Sequence, residues 1–187
     1  MTQQVVFIDR DGVINRDGWG RTRHGYITRW EDWEFIPGVL EAFRLFTEAG
    51  YTTVIISNQK CVARGLLSER ELSELTEKYK NAIKESGGRV DRVYYCVHSD
   101  EDRCTCRKPA EGLFLRAARD LGIESFDGKY MIGDSERDMA AGRKAGLRNI
   151  LVLTGKSSAD DARRWENKPD LICKDLLEAA ETVISEA

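Results

Sequence analysis

The chain has 187 residues, 41% of them hydrophobic and 33% charged, with a formal net charge of −3. That size suits one domain with enough apolar material for its own core, and the composition excludes a disordered, collagen-like or low-complexity chain. The near-balanced charge excludes the basic footprint of a nucleic-acid binder, and no apolar run approaches the ~20 residues needed to span a bilayer.

Met1-Thr2-Gln3-Gln4 carries no charged leader region and no cleavage site, so no signal peptide is expected. Val5-Val6-Phe7-Ile8 is a continuous apolar run, the pattern of a strand buried on both faces. Asn15 to Ile36 breaks the rhythm: rich in Arg, Gly and Trp and without periodicity, it leaves the carboxyl end of that strand, where open α/β sheets bind ligands. Pro37 to Ala49 reads as a helix, with Pro37 suited to the first helical position and Gly50 to the stop. Tyr51 to Ile56 reads as a second buried strand. Ser68-Glu69-Arg70-Glu71 is a capping box that opens a helix running to about Glu85, where Gly87-Gly88 breaks it. Val90 to Val97 is a third strand, and Glu111 to Leu121 an amphipathic helix stopped by Gly122. Lys129 to Ile132 is a fourth strand, followed by a helix from about Arg137 to Ala145 that Gly146 ends. Asn149 to Leu153 and Asp170 to Cys173 are further strands, and Leu176 to Ile184 a last helix. Strands alternating with helices imply right-handed crossovers. The expected fold is α/β and Rossmann-like: a mainly parallel sheet with helices on both faces, in a single domain over residues 1–187.

Chemistry-bearing residues collect at the predicted strand ends. Asp9-Arg10-Asp11-Gly12 follows the first strand, and two carboxylates this close repel unless a metal or a proton-transfer role offsets the cost. Ser57-Asn58-Gln59 ends the second strand with a hydroxyl and amides suited to an anion. Lys108 precedes a helix, and Gly133-Asp134 ends the fourth strand, with Asp138 one helical turn on. Carboxylates bind Mg²⁺ through oxygen, while lysine and hydroxyl groups neutralise phosphate charge, so this set suits phosphoryl transfer through a covalent intermediate.

Three of the five cysteines cluster with one of the two histidines, as Cys96-Val97-His98 and Cys104-Thr105-Cys106. Three thiolates and an imidazole make a closed tetrahedral set for a structural Zn²⁺, in a loop over about 96–106 just ahead of Arg107-Lys108. An odd cysteine count and this spacing point to the reducing cytoplasm rather than to a secreted disulfide scaffold. Cys61 and Cys173 read as packed free thiols.

Phe7-Ile8-Asp9-Arg10-Asp11-Gly12-Val13, Ile55-Ile56-Ser57-Asn58-Gln59, Arg107-Lys108-Pro109 and Met131-Ile132-Gly133-Asp134 resemble, in order, the four motifs of the haloacid dehalogenase superfamily. The resemblance implies that Asp9 is the nucleophile and Asp11 the general acid and then base. It also implies that Ser57 and Lys108 stabilise the transferring phosphoryl group, and that Asp9, Asp134 and the backbone carbonyl of Asp11 hold Mg²⁺. An Asp at position 11 favours phosphatases within the superfamily. The gaps between motifs leave no room for a cap domain.

Together with the cysteine run, Glu34-Phe35-Ile36-Pro37-Gly38 and Ala63-Arg64-Gly65, the chain is similar to the D-glycero-D-manno-heptose 1,7-bisphosphate 7-phosphatases and the related histidinol-phosphate phosphatases. By that resemblance Asp17, His24, Gly25, Tyr26, Asn58, Gln59, Lys60, Arg64 and Arg107 contact substrate, with Arg107 on the distal C1 phosphate. Three departures stand out: the long 18–23 segment, Lys60-Cys61 after Gln59, and Ser135 after Asp134, where a lysine is common. Arg21, Arg23 and Lys60 either offer replacement charge or mark a different phosphorylated substrate. Trp30 and Trp33 read by default as loop anchors, with a sugar platform as the alternative. The resulting expectation is a monomeric cytoplasmic enzyme on a small phosphorylated sugar, without nucleic-acid or membrane partners. It would remove the C7 phosphate in nucleotide-activated heptose synthesis for surface polysaccharide. Histidinol phosphate, another phosphorylated sugar, or a non-catalytic zinc-stabilised binding domain are the alternatives.

Overall fold

Val5–Ile8 forms β1, and all four residues are buried, as their unbroken apolar run requires. The computed structural model describes residues 3–186; Met1 and Thr2, from the stretch expected to carry no leader, and Ala187, the last residue of the expected domain, lie outside the described residues. After β1 come α1 (Val39–Glu48), β2 (Thr52–Asn58), α2 (Lys60–Ala63), α3 (Glu69–Glu85), β3 (Arg92–Cys96) and α4 (Gly112–Leu121). Then follow β4 (Tyr130–Gly133), α5 (Glu136–Ala145), β5 (Arg148–Val152), α6 (Ala159–Ala162), β6 (Leu171–Cys173) and α7 (Leu176–Ser185). The six strands form one sheet in the order β3-β2-β1-β4-β5-β6, with every pair parallel.

Alternate side chains of β1 feed two cores. Val6 and Ile8 pack with Phe43 and Phe46 of α1, Tyr79 and Ile83 of α3, and Ala180 and Val183 of α7. Val5 and Phe7 face the other way, with Phe114 and Ala117 of α4 and Ala141 of α5. Each fully buried apolar side chain contributes about 1.5–3 kcal/mol, so these four residues anchor both layers.

The boundaries differ from the sequence reading in instructive ways. Pro37 is not the first helical residue: Gly38 takes a left-handed turn at the N-cap and α1 starts at Val39. β2 continues past Ile56 to Asn58 because Ser57 and Asn58 pair with Tyr95 and Cys96 of β3, so the Ser57 hydroxyl is carried on a strand. The capping box at Ser68 is formed, with its Oγ accepting from the Glu71 N–H at 3.2 Å. The short helices α2 and α6 were absent from the reading, since four residues carry no period. The long 15–36 segment is ordered by bridges from Asn15 to Asp11 and Phe35 and from Gly18 to Gly25. Trp33 stacks on Tyr79 at 4.9 Å and on Trp30 at 5.8 Å, which makes both tryptophans anchors of that segment.

Candidate active site

The strand order reverses at β1, and ligands bind outside the carboxyl ends of strands at such a reversal. A cleft of about 730 Å³ opens there. Asp9 and Asp11 after β1, Ser57 and Asn58 at the end of β2, Lys108 before α4, and Asp134 after β4 all line it. A groove of about 770 Å³ along β3, between α3 and α4, contains none of these residues.

Lys108 is the centre of the charge arrangement. Its Nζ lies 2.9 Å from Asp9 Oδ1 and 2.5 Å from Asp138 Oδ1, and it donates to the Ile56 carbonyl at 2.8 Å. Burial would discharge the ammonium, but Asp138 and Asp9 outweigh that effect and its pKa is raised. Asn58 fixes the lysine backbone: its Nδ2 donates to the Lys108 carbonyl at 3.0 Å, and its Oδ1 accepts the Lys108 N–H at 3.1 Å. Asp138 Oδ2 accepts from the Ser135 N–H at 3.1 Å and Oγ at 2.6 Å, while Oδ1 forms an ion pair with Lys108 and has no hydrogen-bond partner.

Asp9 accepts the Arg10 N–H at 2.7 Å on the same oxygen that meets Lys108, so Oδ2 stays available. Burial pushes Asp9 up to about 6, opposed by Lys108 and aided by Asp138. Asp134 is pushed up to about 8, first by burial and then by repulsion from Asp138 and Asp9. Its carboxylate accepts the Lys156 N–H at 3.0 Å and sits where a Cβ on Gly12 or Gly155 would land, so both positions require glycine. Carboxylate oxygens of Asp9, Asp134 and Asp138 lie within 4.8 Å of one another. This buried concentration of like charge is what a divalent cation would discharge.

Asp11 lives in a different field. Arg10, itself buried, donates Nη2 to both Asp11 oxygens at 2.8 and 2.9 Å, while Asn15 Nδ2 donates at 2.9 Å and Gln59 Nε2 at 2.8 Å. Burial would raise its pKa, but the guanidinium and these hydrogen bonds prevail and hold it below the usual range. Gln59 also donates to Ser57 Oγ at 2.9 Å, which leaves the serine proton free for an acceptor in the cleft.

The sulfur cluster is equally compact. Cys96 Sγ lies 3.6 Å from Cys104 Sγ and 3.2 Å from Cys106 Sγ, and the latter two are 3.4 Å apart. His98 Nδ1 is 3.2 Å from Cys106 Sγ and 3.7 Å from Cys96 Sγ. A tetrahedron with Zn–S bonds of ~2.3 Å has edges of roughly 3.7 Å, so the four donors fit such an ion. Sulfurs at these separations are free thiols. Burial would raise Cys104, but hydrogen bonds from Cys106, the Arg107 N–H and Cys96 prevail and lower it to about 7.

The proposed substrate contacts divide into two groups. Asp17, Gly25, Tyr26, Asn58, Lys60, Arg64 and Arg107 line the cleft. His24 does not, and lies exposed on the 15–36 segment. Gln59 does not either, because it is buried with its amide spent on Asp11 and Ser57. Asn58 reaches the cleft with its amide already committed to Lys108. Arg21 is tied to Glu34 at 2.6 Å, and neither Arg21 nor Arg23 lines the cleft.

The comparisons with known proteins point one way. The HAD-hydrolase-like family model matches residues 105–179. The chain is 37% identical over 186 residues to D-glycero-beta-D-manno-heptose-1,7-bisphosphate 7-phosphatase of Haemophilus ducreyi, covering 95% of this chain and 97% of that one. The enzyme of the same name from Vibrio cholerae is 40% identical over 164 residues, covering 83% and 84%. The solved D,D-heptose 1,7-bisphosphate phosphatase of B. bronchiseptica, complexed with magnesium and phosphate, superposes with a TM-score of 0.89 at 33% identity, covering 99% of this chain and all of that one. The chain belongs to the heptose-1,7-bisphosphate 7-phosphatase family of HAD-like hydrolases.

This family member carries cleft residues that the sequence reading did not single out. Lys156 follows β5, lines the cleft and pairs with Asp17 at 3.3 Å. Its position just past a strand end is the same signal that marked Asp9 and Asp134. Arg137, in the first turn of α5, and Asp100, in the cysteine loop, also line the cleft. Asp100 carries no sequence signal, because its partners Lys60 and Arg107 stand 40 and 7 residues away. Among the described residues no helix is long and apolar enough to cross a membrane.

Proposed function

We propose that this phosphatase removes the C7 phosphate of D-glycero-D-manno-heptose 1,7-bisphosphate and retains the C1 phosphate, through an aspartyl-phosphate at Asp9. The observation that carries the reading is the seating of Lys108 Nζ 2.9 Å from one Asp9 oxygen while the other remains available, in the same cleft as Arg107. In the first step Asp9 attacks phosphorus and the bond to the sugar oxygen breaks, with Lys108 and the Ser57 hydroxyl neutralising the phosphoryl oxygens. Asp11 gives its proton to the leaving alkoxide. Asp11 then takes a proton from water, which attacks phosphorus and releases Asp9 and inorganic phosphate. The incoming phosphate dianion raises the Asp11 pKa against the pull of Arg10, so the acid form is loaded as substrate arrives.

Asp9, Asp134 and the backbone carbonyl of Asp11 would hold Mg²⁺, and the buried repulsion between Asp9 and Asp134 fits that ion. When bound, the ion supplies charge neutralisation at the transferring group. Asp138 pairs with Lys108 and would position its ammonium beside Asp9. Cys96, His98, Cys104 and Cys106 would hold a structural Zn²⁺ that fixes the loop leading into Arg107-Lys108. On this reading residues 1–187 act as one capless, monomeric domain in the cytoplasm, in nucleotide-activated heptose synthesis, with no nucleic-acid or membrane partner.

The test is phosphate release with Mg²⁺ across α- and β-heptose 1,7-bisphosphate, fructose 1,6-bisphosphate, histidinol phosphate and simple monophosphates. The expected result is a kcat/KM for one heptose bisphosphate anomer at least ~100-fold above the rest, about 2.7 kcal/mol in the transition state. A flat profile would instead assign the cleft to another small phosphorylated substrate.

A further inference from the structure

Three cationic side chains of the cleft converge on one carboxylate. Asp100 Oδ1 accepts from Arg107 Nε at 2.7 Å, its Oδ2 meets Lys60 Nζ at 2.5 Å, and Arg137 Nη1 approaches Oδ1 at 3.9 Å. The two short contacts use one oxygen each. Two oxygens of a phosphate would bridge the same pair of donors in the same way.

The partners are unequally held. The side chains of Lys60 and Arg107 are only 13% and 11% exposed, whereas Asp100 is 49% exposed. Arg107 is further restrained by the His98 carbonyl at 3.4 Å, and its chain neighbour Lys108 is clamped by Asn58. The cations therefore stay in place while the half-exposed carboxylate can turn to solvent, and an incoming phosphate takes over both of its contacts. Lys60 and Arg107 come from different elements, α2 and the loop before α4. Among the described residues, the acidic partners of Lys60 and Arg107 come from the cysteine loop alone.

We infer that Asp100 is a stand-in for the second phosphate of a sugar bisphosphate: it bridges Lys60 and Arg107 in the free enzyme and yields both to that phosphate when substrate binds. The inference rests on the bisphosphatase reading and deepens it. A monophosphate cannot take over the bridge, so the exchange weighs on the bisphosphate alone and sets how strongly the cleft favours it.

Removing the charge of Asp100 should relieve the competition. In the metal-loaded full chain, Asp100→Asn is expected to lower KM for heptose 1,7-bisphosphate about fivefold, with the change carried by KM rather than by kcat. KM for heptose 7-phosphate should shift less than twofold. In a Lys60→Met background the same substitution should lose most of its effect, because one half of the bridge has gone. Asp100→Glu, which restores the charge, should return KM toward the wild-type value. An unchanged or raised KM for the bisphosphate in Asp100→Asn, or an equal fall for both substrates, would overturn the inference. Fructose 1,6-bisphosphate and fructose 6-phosphate form a second pair for the same comparison. A wild-type enzyme inactive on the heptose bisphosphate but active on the fructose pair defeats the substrate reading and leaves the bridge to be judged on that pair. A wild-type enzyme that favours the monophosphate in both pairs overturns the bridge itself.

Discussion

Asn58 holds Lys108 by both polar groups of its peptide backbone, donating to the carbonyl at 3.0 Å and accepting the N–H at 3.1 Å. A side chain on β2 thus sets the backbone from which the lysine reaches Asp9, 50 residues further along the chain. Asn58→Ala removes both bonds without touching a charged group. It is expected to lower kcat about 10–100-fold through misplacement of the ammonium, with KM much less affected. Steady-state kinetics at saturating Mg²⁺ decide the matter, and a larger change in KM than in kcat would assign Asn58 to substrate instead.

Asp9→Asn removes the proposed nucleophile while keeping the side-chain shape. Turnover should fall by roughly 10⁴-fold or more, a loss typical of deleting a covalent nucleophile. The fold should persist, because Lys108 retains Asp138 at 2.5 Å and the substitution relieves repulsion within the carboxylate cluster. Near-normal activity together with an unchanged melting temperature would place the nucleophile elsewhere.

The buried carboxylates also make the metal-free protein sensitive to pH. Asp9 is pushed up to about 6 and Asp134 to about 8, both above the ordinary carboxylate value near ~4 that they regain on unfolding. Between those limits the folded chain keeps protons that the unfolded chain has released, so stability falls as pH rises. The penalty is absent below the unfolded value and complete above about 8. In the presence of chelator the unfolding temperature should decline from mildly acidic to mildly alkaline pH. Mg²⁺ should raise it more at the alkaline end, where fewer protons compete. Melting curves that are flat across this range would show that these carboxylates titrate normally.

Removal of the ion proposed at Cys96, His98, Cys104 and Cys106 should loosen the loop that precedes Lys108. Cys104→Ser is expected to abolish stoichiometric zinc, lower the melting temperature and reduce kcat, since loop order and metal binding are coupled. Elemental analysis beside kinetics tests this. Full activity in a zinc-free variant would separate the loop from catalysis.

Much of this arrangement was legible in the sequence because strand ends are. Val5–Ile8 announces a doubly buried strand, and Asp9 and Asp11 follow it directly; Met131-Ile132-Gly133-Asp134 repeats the signal. What resisted was the second partner of each group. That Gln59 turns inward to Asp11, or that Asp138 spends itself on Lys108, depends on side-chain direction at a strand end or first helical turn. Asp100 was hidden more deeply, in a loop whose path is set by four donors converging over 96–106 rather than by local periodicity.

The central place of β1 has a consequence for how the chain comes off the ribosome. Its partners are β2 and β4, and the register with β4 joins Val6, Phe7 and Ile8 to Tyr130, Met131 and Ile132. Until residue 132 has emerged, one edge of this wholly apolar strand has no neighbour. An unpaired apolar edge is a template for wrong association. Synthesis must therefore reach Ile132 before β1 is paired on both edges. Asp9 gains its flanking carboxylate, Asp134, as that edge is closed, so a chain cut short of β4 exposes the edge and lacks the acidic cluster as well.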